Sequence, residues 1–205
     1  MEFRFGGLDG SGGLRATPSV GQVLVMWYTP QVYIDAAREV MGDIDLDPAS
    51  DDRVQERIKA SKYYTIHTNG LDKPWFGRVW LNSPYDARVF SEFVTKAIVE
   101  YNRGNVTELI FLTHTEETYS VLFQMLGHRS SAVCFHQNPI EWEGDHTGVF
   151  SEIDGVKLDK PKEAHYKDVG VGLDVPYTLH GSVFFYFGIN PGKFKEVFSR
   201  FGWTI

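Results

Sequence analysis

Apolar and polar positions along the chain follow two periods, and they alternate. After Thr29 and Pro30, the residues Val32, Ile34, Ala36, Ala37 and Val40 give one apolar face, and Gly42 closes the run. That predicts a helix with Pro in its first turn. Asp43-Ile44-Asp45-Leu46-Asp47 then alternates with period two and stops at Pro48. It predicts a short strand with acids at its C-terminal end. Residues 51–61 read as a helix and Asn69-Gly70 as a turn. Residues 78–81 read as a strand halted by Asn82-Ser83-Pro84. An amphipathic helix over 87–100 carries Phe90, Phe93, Val94, Ala97 and Ile98 on one side. Strands follow over 109–112, 131–135 and 182–187, with helices over 118–126 and 194–201.

This alternation predicts an α/β protein: a mostly parallel sheet with helices on both faces. Such sheets bind ligands beyond the C-terminal ends of their strands. Residues 1–22 hold six glycines and no apolar period, so they are expected to be a flexible lead-in. One domain is expected over 23–205. A glycine- and charge-rich stretch at about 143–180 is the segment long enough to be an elaborated loop.

Composition narrows the function classes. A chain of 205 residues with 42% hydrophobic content buries about 70% of its unfolded surface and folds without staples. Its single cysteine, Cys134, excludes an internal disulfide and a four-thiolate zinc site, and reads as inert core. The seven histidines, His114 and His136 among them, lack ligand-like spacing, so no metal is expected. No apolar run reaches the roughly 18 residues of a membrane span, and residues 1–20 lack the apolar stretch of a secretory signal. A soluble cytoplasmic protein is expected. The net charge of −7 argues against coating nucleic acid through global charge, while leaving room for a local basic patch.

Three short segments carry candidate chemistry. Asp45-Leu46-Asp47-Pro48-Ala49-Ser50 puts acids and small residues where a strand ends, suited to a ligand ammonium or ribose hydroxyl. The plain alternative is a surface turn with Ser50 as N-cap. Asn82-Ser83-Pro84-Tyr85 follows a strand directly. An Asn carbonyl and the next backbone carbonyl can both accept from one planar NH₂ group, and Tyr offers a face for stacking. The alternative is a strand-ending turn with an ordinary aromatic. Trp27-Tyr28-Thr29-Pro30 precedes the first helix, either at the ligand site or as a hydrophobic staple.

In this order the three segments resemble the phage-type DNA N6-adenine methyltransferase family, the small Dam-like enzymes of bacteriophages and prophages. The similarity continues through Lys59-Ala60-Ser61-Lys62-Tyr63-Tyr64, Asn69-Gly70-Leu71 and Trp75-Phe76-Gly77-Arg78-Val79-Trp80-Leu81. It returns at Gly181-Ser182-Val183-Phe184-Phe185-Tyr186-Phe187-Gly188 and Phe198-Ser199-Arg200-Phe201-Gly202. It covers about 23–142 and 180–205. The resemblance implies a Rossmann-like fold and methyl transfer from S-adenosylmethionine to N6 of adenine in double-stranded DNA. Asn82 and the Ser83 carbonyl would accept from the target amine, with Pro84 stiffening the turn and Tyr85 stacking on the extruded base. Trp27, Thr29, Pro30, Asp45, Asp47, Pro48, Ala49 and Asn69 would line the cofactor site.

Two departures stand out. Ser83 replaces the first Pro of the family's Asn-Pro-Pro-Tyr turn, though the acceptor there is a backbone carbonyl that Ser also supplies. The Gly-rich cofactor turn of larger methyltransferases is absent after Pro48. Base flipping then needs local cations, for which Arg53, Arg57, Lys59 and Lys62 are the candidates, with Lys193, Lys195 and Arg200 on a second helix. The 143–180 stretch is a target-recognition element, a plain loop or a homodimer contact. Rival readings are methylation of RNA adenine or protein glutamine, and a methyltransferase-like binding module without turnover.

Overall fold

The computed structural model describes residues 27–84, 87–115, 121–138, 140, 143–144, 152–153, 156–157 and 181–205. In chain order these form β1 (Trp27–Tyr28), α1 (Gln31–Met41), β2 (Leu46–Asp47), α2 (Gln55–Ile58) and β3 (Lys62–Tyr63). A 3₁₀ turn (Gly70–Asp72) leads to β4 (Gly77–Asn82), α3 (Ala87–Asn102), β5 (Val106–His114), α4 (Val121–Arg129) and β6 (Ala132–His136). The two-residue strands β7 (Glu143–Gly144), β8 (Glu152–Ile153) and β9 (Val156–Lys157) follow. Then come β10 (Ser182–Phe187), α5 (Pro191–Phe198) and β11 (Gly202–Thr204). The N-terminal 22 residues expected to be flexible lie outside the described residues, as does most of the 143–180 stretch.

Local chemistry sets the element ends. α1 buries Tyr33, Ile34, Ala36, Ala37, Val40 and Met41. Pro30 caps this helix rather than entering it, and Gly42, at φ 86°, ends it with its N–H on the Arg38 carbonyl. α2 is a single turn where a helix over 51–61 was expected. Its start is fixed by Asp51, whose Oδ1 accepts from the amides of Arg53 and Val54, both at 2.8 Å. Asp51 thus closes the turn ahead of the helix, while the N-cap itself, Val54, has no side-chain cap, so Ser50 is not the cap. Lys59 stops α2 in the left-handed region at φ 49°.

Seven strands form one sheet in the order β11-β6-β10-β5-β4-β2-β3. Strands β2 to β6 point one way, while β10 and β11 oppose them. The pairing is therefore mixed, with three parallel and three antiparallel ladders. β10 slots between β5 and β6, so Phe184 faces Leu112 on one side and Cys134 on the other. The chain between β6 and β10 is long enough to return in either direction, and hydrophobic period alone does not say which.

Helices cover both faces. On one, α1 and α5 bring Ile34, Ala37, Phe194 and Phe198 onto Trp80, Ile110, Leu112, Phe184 and Tyr186. On the other, α3 and α4 bring Phe90, Phe93, Ala97, Phe123 and Leu126 onto Val79, Leu81, Leu109, Phe111 and Phe185. The two sets alternate along β4, β5 and β10 as the pleat requires. Many of the aromatics pair here, with the Phe194 and Phe198 rings 4.3 Å apart. Cys134 is fully buried, and burial pushes its thiol up to about 12.

Candidate active site

The chain leaves β2 for β3 on one side of the sheet and then crosses to β4 on the other. α2 packs with the α1 face and α3 with the opposite one. The C-terminal ends of β2 and β4 thus flank a topological switch point, where open α/β sheets hold ligands. The burial pattern agrees. Among the described residues eight polar or charged side chains are buried: Thr29, Asp47, Ser50, Asn82, Ser83, Glu100, Thr113 and Ser182. All but Glu100 lie at or beside the C-terminal strand edge. Buried polar groups are the informative ones, because each needs a partner.

Asp47 ends β2 and is only 1% exposed. Its Oδ1 accepts from the Ala49 amide at 3.2 Å and its Oδ2 from the Gln55 side-chain amide at 3.0 Å. The same Gln55 nitrogen reaches Ser50 Oγ at 2.8 Å, while Gln55 Oε1 accepts from the Ala60 amide at 2.9 Å. Gln55 therefore pins the acid to α2. Burial raises the Asp47 carboxyl to about 7, against the lowering effect of Ser50 and the Ala49 amide.

Asn82 ends β4 and is 7% exposed. Its Nδ2 donates to Thr29 Oγ1 at 3.2 Å, which orients the amide plane. Ser83 is fully buried, with no hydrogen-bond partner for its Oγ among the described residues. A small cavity opens between the two strand ends, lined by Tyr28, Thr29, Asp47, Ala49, Val54, Ile58, Trp80 and Asn82. Segments far apart in sequence thus converge on one concave space.

A family model for DNA N-6-adenine-methyltransferase (Dam) matches residues 19–148, more than half of the chain. The chain belongs to the Dam family. Comparison with curated proteins and with solved structures gives no match. As a Dam-family member the protein is a DNA adenine-N6-methyltransferase.

The Dam-family motif residues fall into three groups. Thr29, Asp47, Ala49 and Asn82 line the cavity, with Pro30, Pro48, Ser83 and Pro84 next to them in sequence. Trp27 pairs with Gly144 across β1 and β7, next in sequence to the cavity-lining Tyr28. Tyr85 lies outside the described residues. Two expected cofactor residues sit elsewhere. Asp45 is held by Arg78, whose Nε donates to Oδ2 at 2.8 Å and whose second guanidinium nitrogen donates to Oδ1 at 2.7 Å. That ion pair holds the Asp45 carboxyl below its usual range and clamps the start of β4 beside β2. Asn69 spends its side chain locally: Oδ1 accepts from the Leu71 amide and Nδ2 donates to Asp72. Its turn still supports the site, because Gly70 packs against the Pro48 carbonyl.

The candidate cations divide as well. Val54 and Ile58 line the cavity, so Arg53 and Arg57 flank it, and Arg57 stands 5.5 Å over the Tyr28 ring. Lys59 lies toward the strand N-termini, where Arg38 donates to its carbonyl, and Lys62 stands over the Tyr64 ring. Lys193, on α5, pairs with Glu39 and Glu196, and Arg200, just after it, pairs with Glu39. Among the described residues no cluster of three His, Cys, Asp or Glu is set to hold a metal, and no helix is long and apolar enough to cross a membrane. Sequence reasoning missed Gln55 and Trp80 as site residues. Gln55 offered one faint signal, an amide set between the apolar positions Val54 and Ile58.

Proposed function

We propose that this DNA adenine methyltransferase takes its methyl group from S-adenosylmethionine, bound at the C-terminal ends of β2 and β4 in a Rossmann-like methyltransferase fold. The observation that carries the reading is the single cavity joining Asp47 and Asn82. The residues present fit such a ligand. Asp47 is a buried carboxylate suited to a ligand cation, Ala49 permits close approach, and Trp80 holds a buried indole nitrogen with no hydrogen-bond partner among the described residues. When bound, the cofactor supplies a methyl group already activated on a sulfonium centre.

The chain's own task is alignment. Thr29 fixes the Asn82 amide with its carbonyl presented, and that oxygen together with the Ser83 carbonyl accepts from the adenine N6 hydrogens. Both acceptors matter most as positive charge grows on nitrogen during transfer. The adenine must leave the duplex to reach them, which costs a few kcal/mol. Tyr85 stacks on the flipped base and offsets part of that. None of these residues has to change its protonation state.

The test is calorimetry with S-adenosylhomocysteine on the full chain in the presence of a chelator, followed by methylation of adenine-containing duplexes. Binding and transfer are expected. No heat and no thermal shift at millimolar ligand would end the cofactor reading.

A further inference from the structure

Trp80 sits in the middle of β4 and is fully buried. Its ring belongs to the core between the sheet and the α1–α5 layer, yet the residue also lines the cavity. Its Nε1–H has no hydrogen-bond partner among the described residues. An indole N–H is a donor only, and leaving it unpaired away from water is costly. Trp75 shows the ordinary solution, with its own Nε1 on the Gly70 carbonyl at 2.8 Å. A Phe would fill much of the same core without the polar atom, so the indole nitrogen needs an explanation beyond packing.

The cavity supplies one. Among the described residues its lining offers a buried carboxylate, Asp47, and neither Lys nor Arg. A ligand that brings a cation to Asp47 and an anion beside it would satisfy the carboxylate and the indole together. We propose that the Trp80 indole N–H is a ligand-binding donor, taking the carboxylate of the amino-acid end of the cofactor while Asp47 takes its ammonium. This rests on the cofactor reading above and adds to it a residue and an orientation. A carboxylate acceptor also gives the indole a charge-assisted bond, stronger than one to a neutral atom.

The experiment uses the full chain, ¹⁵N-labelled, with the Trp80 indole signal assigned through its own backbone. S-adenosylhomocysteine is expected to move that signal strongly. 5′-Methylthioadenosine, which lacks the amino-acid end, should bind more weakly and leave it in place. Trp80→Phe should weaken S-adenosylhomocysteine about ten- to a hundredfold, the scale of one hydrogen bond to a charged group. The same variant should hold 5′-methylthioadenosine within about twofold, which a mere packing defect would not spare. If S-adenosylhomocysteine binds the wild type but the Trp80 signal stays still, the donor role is wrong and the cofactor reading survives. If both ligands move the signal equally, the N–H faces the adenosine end, and the assigned orientation is overturned. No binding by the wild type removes both readings. The wild-type spectra decide the matter even if Trp80→Phe fails to fold.

Discussion

At the scale of single residues, the proposed function gives two side chains different tasks, and their variants should fail differently. Asn82→Ala removes an acceptor that matters most in the transition state, so it should lower kcat about 10²–10³-fold and leave cofactor affinity nearly intact. Single-turnover methyl transfer with parallel calorimetry separates the two effects. Asp47 should instead set a pH dependence. Its carboxyl is raised to about 7 by burial. Between about pH 4 and 7 the folded state therefore keeps a proton that the unfolded chain has lost. Stability without ligand should then fall as pH rises through that window, by roughly 3–5 kcal/mol at full ionisation. Asp47→Asn should flatten the slope, read by urea unfolding at several pH values. A cation bound at Asp47 would hold it ionised, so cofactor binding near pH 6.5 should release part of a proton in the wild type and none in Asp47→Asn. Calorimetry in two buffers of different ionisation heat measures this. Ser83→Ala should keep activity, because the backbone carbonyl does the accepting, and gain about 1 kcal/mol from losing an unpartnered hydroxyl. The position of Asp47 and Asn82 at strand ends was legible, because acids and amides there stand out from their apolar neighbours. It was not legible that Asp45 belongs to Arg78. The two acids are two residues apart and look equivalent, and only the fold shows which one meets a guanidinium 33 positions away.

At the scale of elements, the long runs declared themselves and the short ones did not. β10 is buried along all six residues and α1 carries a clear apolar face, so both were evident from period alone. β1, β3 and β11 have two or three residues each, too few to show any period. They exist because neighbouring strands offer them hydrogen bonds. Loops between elements matter for the same reason. A Cβ at Gly70 would stand 2.0 Å from the Pro48 carbonyl oxygen, and that contact is backbone, which yields poorly. Gly70→Ala should push the 65–75 loop away from the end of β2. It should cost about 1–3 kcal/mol in urea unfolding and weaken the cofactor as well. Gly104 provides the contrast. It has φ 77° and nothing within 4 Å of an added Cβ, so Gly104→Ala should cost only about 1–2 kcal/mol of backbone strain. Cofactor affinity should not change there. Equal binding losses in the two variants would show that the Pro48 contact does not hold the site.

At the scale of the whole molecule, a chain of net charge −7 has to meet a polyanion. The fold confines the approach. Asn82 lies at the C-terminal strand edge, so if it receives the base as proposed, DNA arrives there and uses cations placed at that edge. Lys193 and Arg200 already face Glu39 across the α1–α5 seam, and Lys59 lies toward the opposite strand ends. Arg53 and Arg57 flank the cavity on the α2 segment, with Arg53 exposed. These two are therefore the expected phosphate contacts. Reversing Arg53 to Glu should raise the KM for duplex DNA about tenfold at low salt and leave kcat at saturation little changed. It should also reduce the slope of log affinity against log salt by about 0.9, the release of one counterion's worth of charge. Arg57→Glu should do the same and in addition disturb the Tyr28 ring beneath it, so some loss of cofactor affinity should accompany the DNA effect. Lys193→Glu should leave the salt slope within about 0.3 of wild type, because a cation already paired with protein acids adds little to phosphate neutralisation. The discriminating measurement is DNA binding by fluorescence anisotropy at four or five salt concentrations, with S-adenosylhomocysteine present. A slope lost in Lys193→Glu and kept in Arg53→Glu would place the DNA on the α5 side. The base would then have to enter from across the α1–α5 layer rather than past α2.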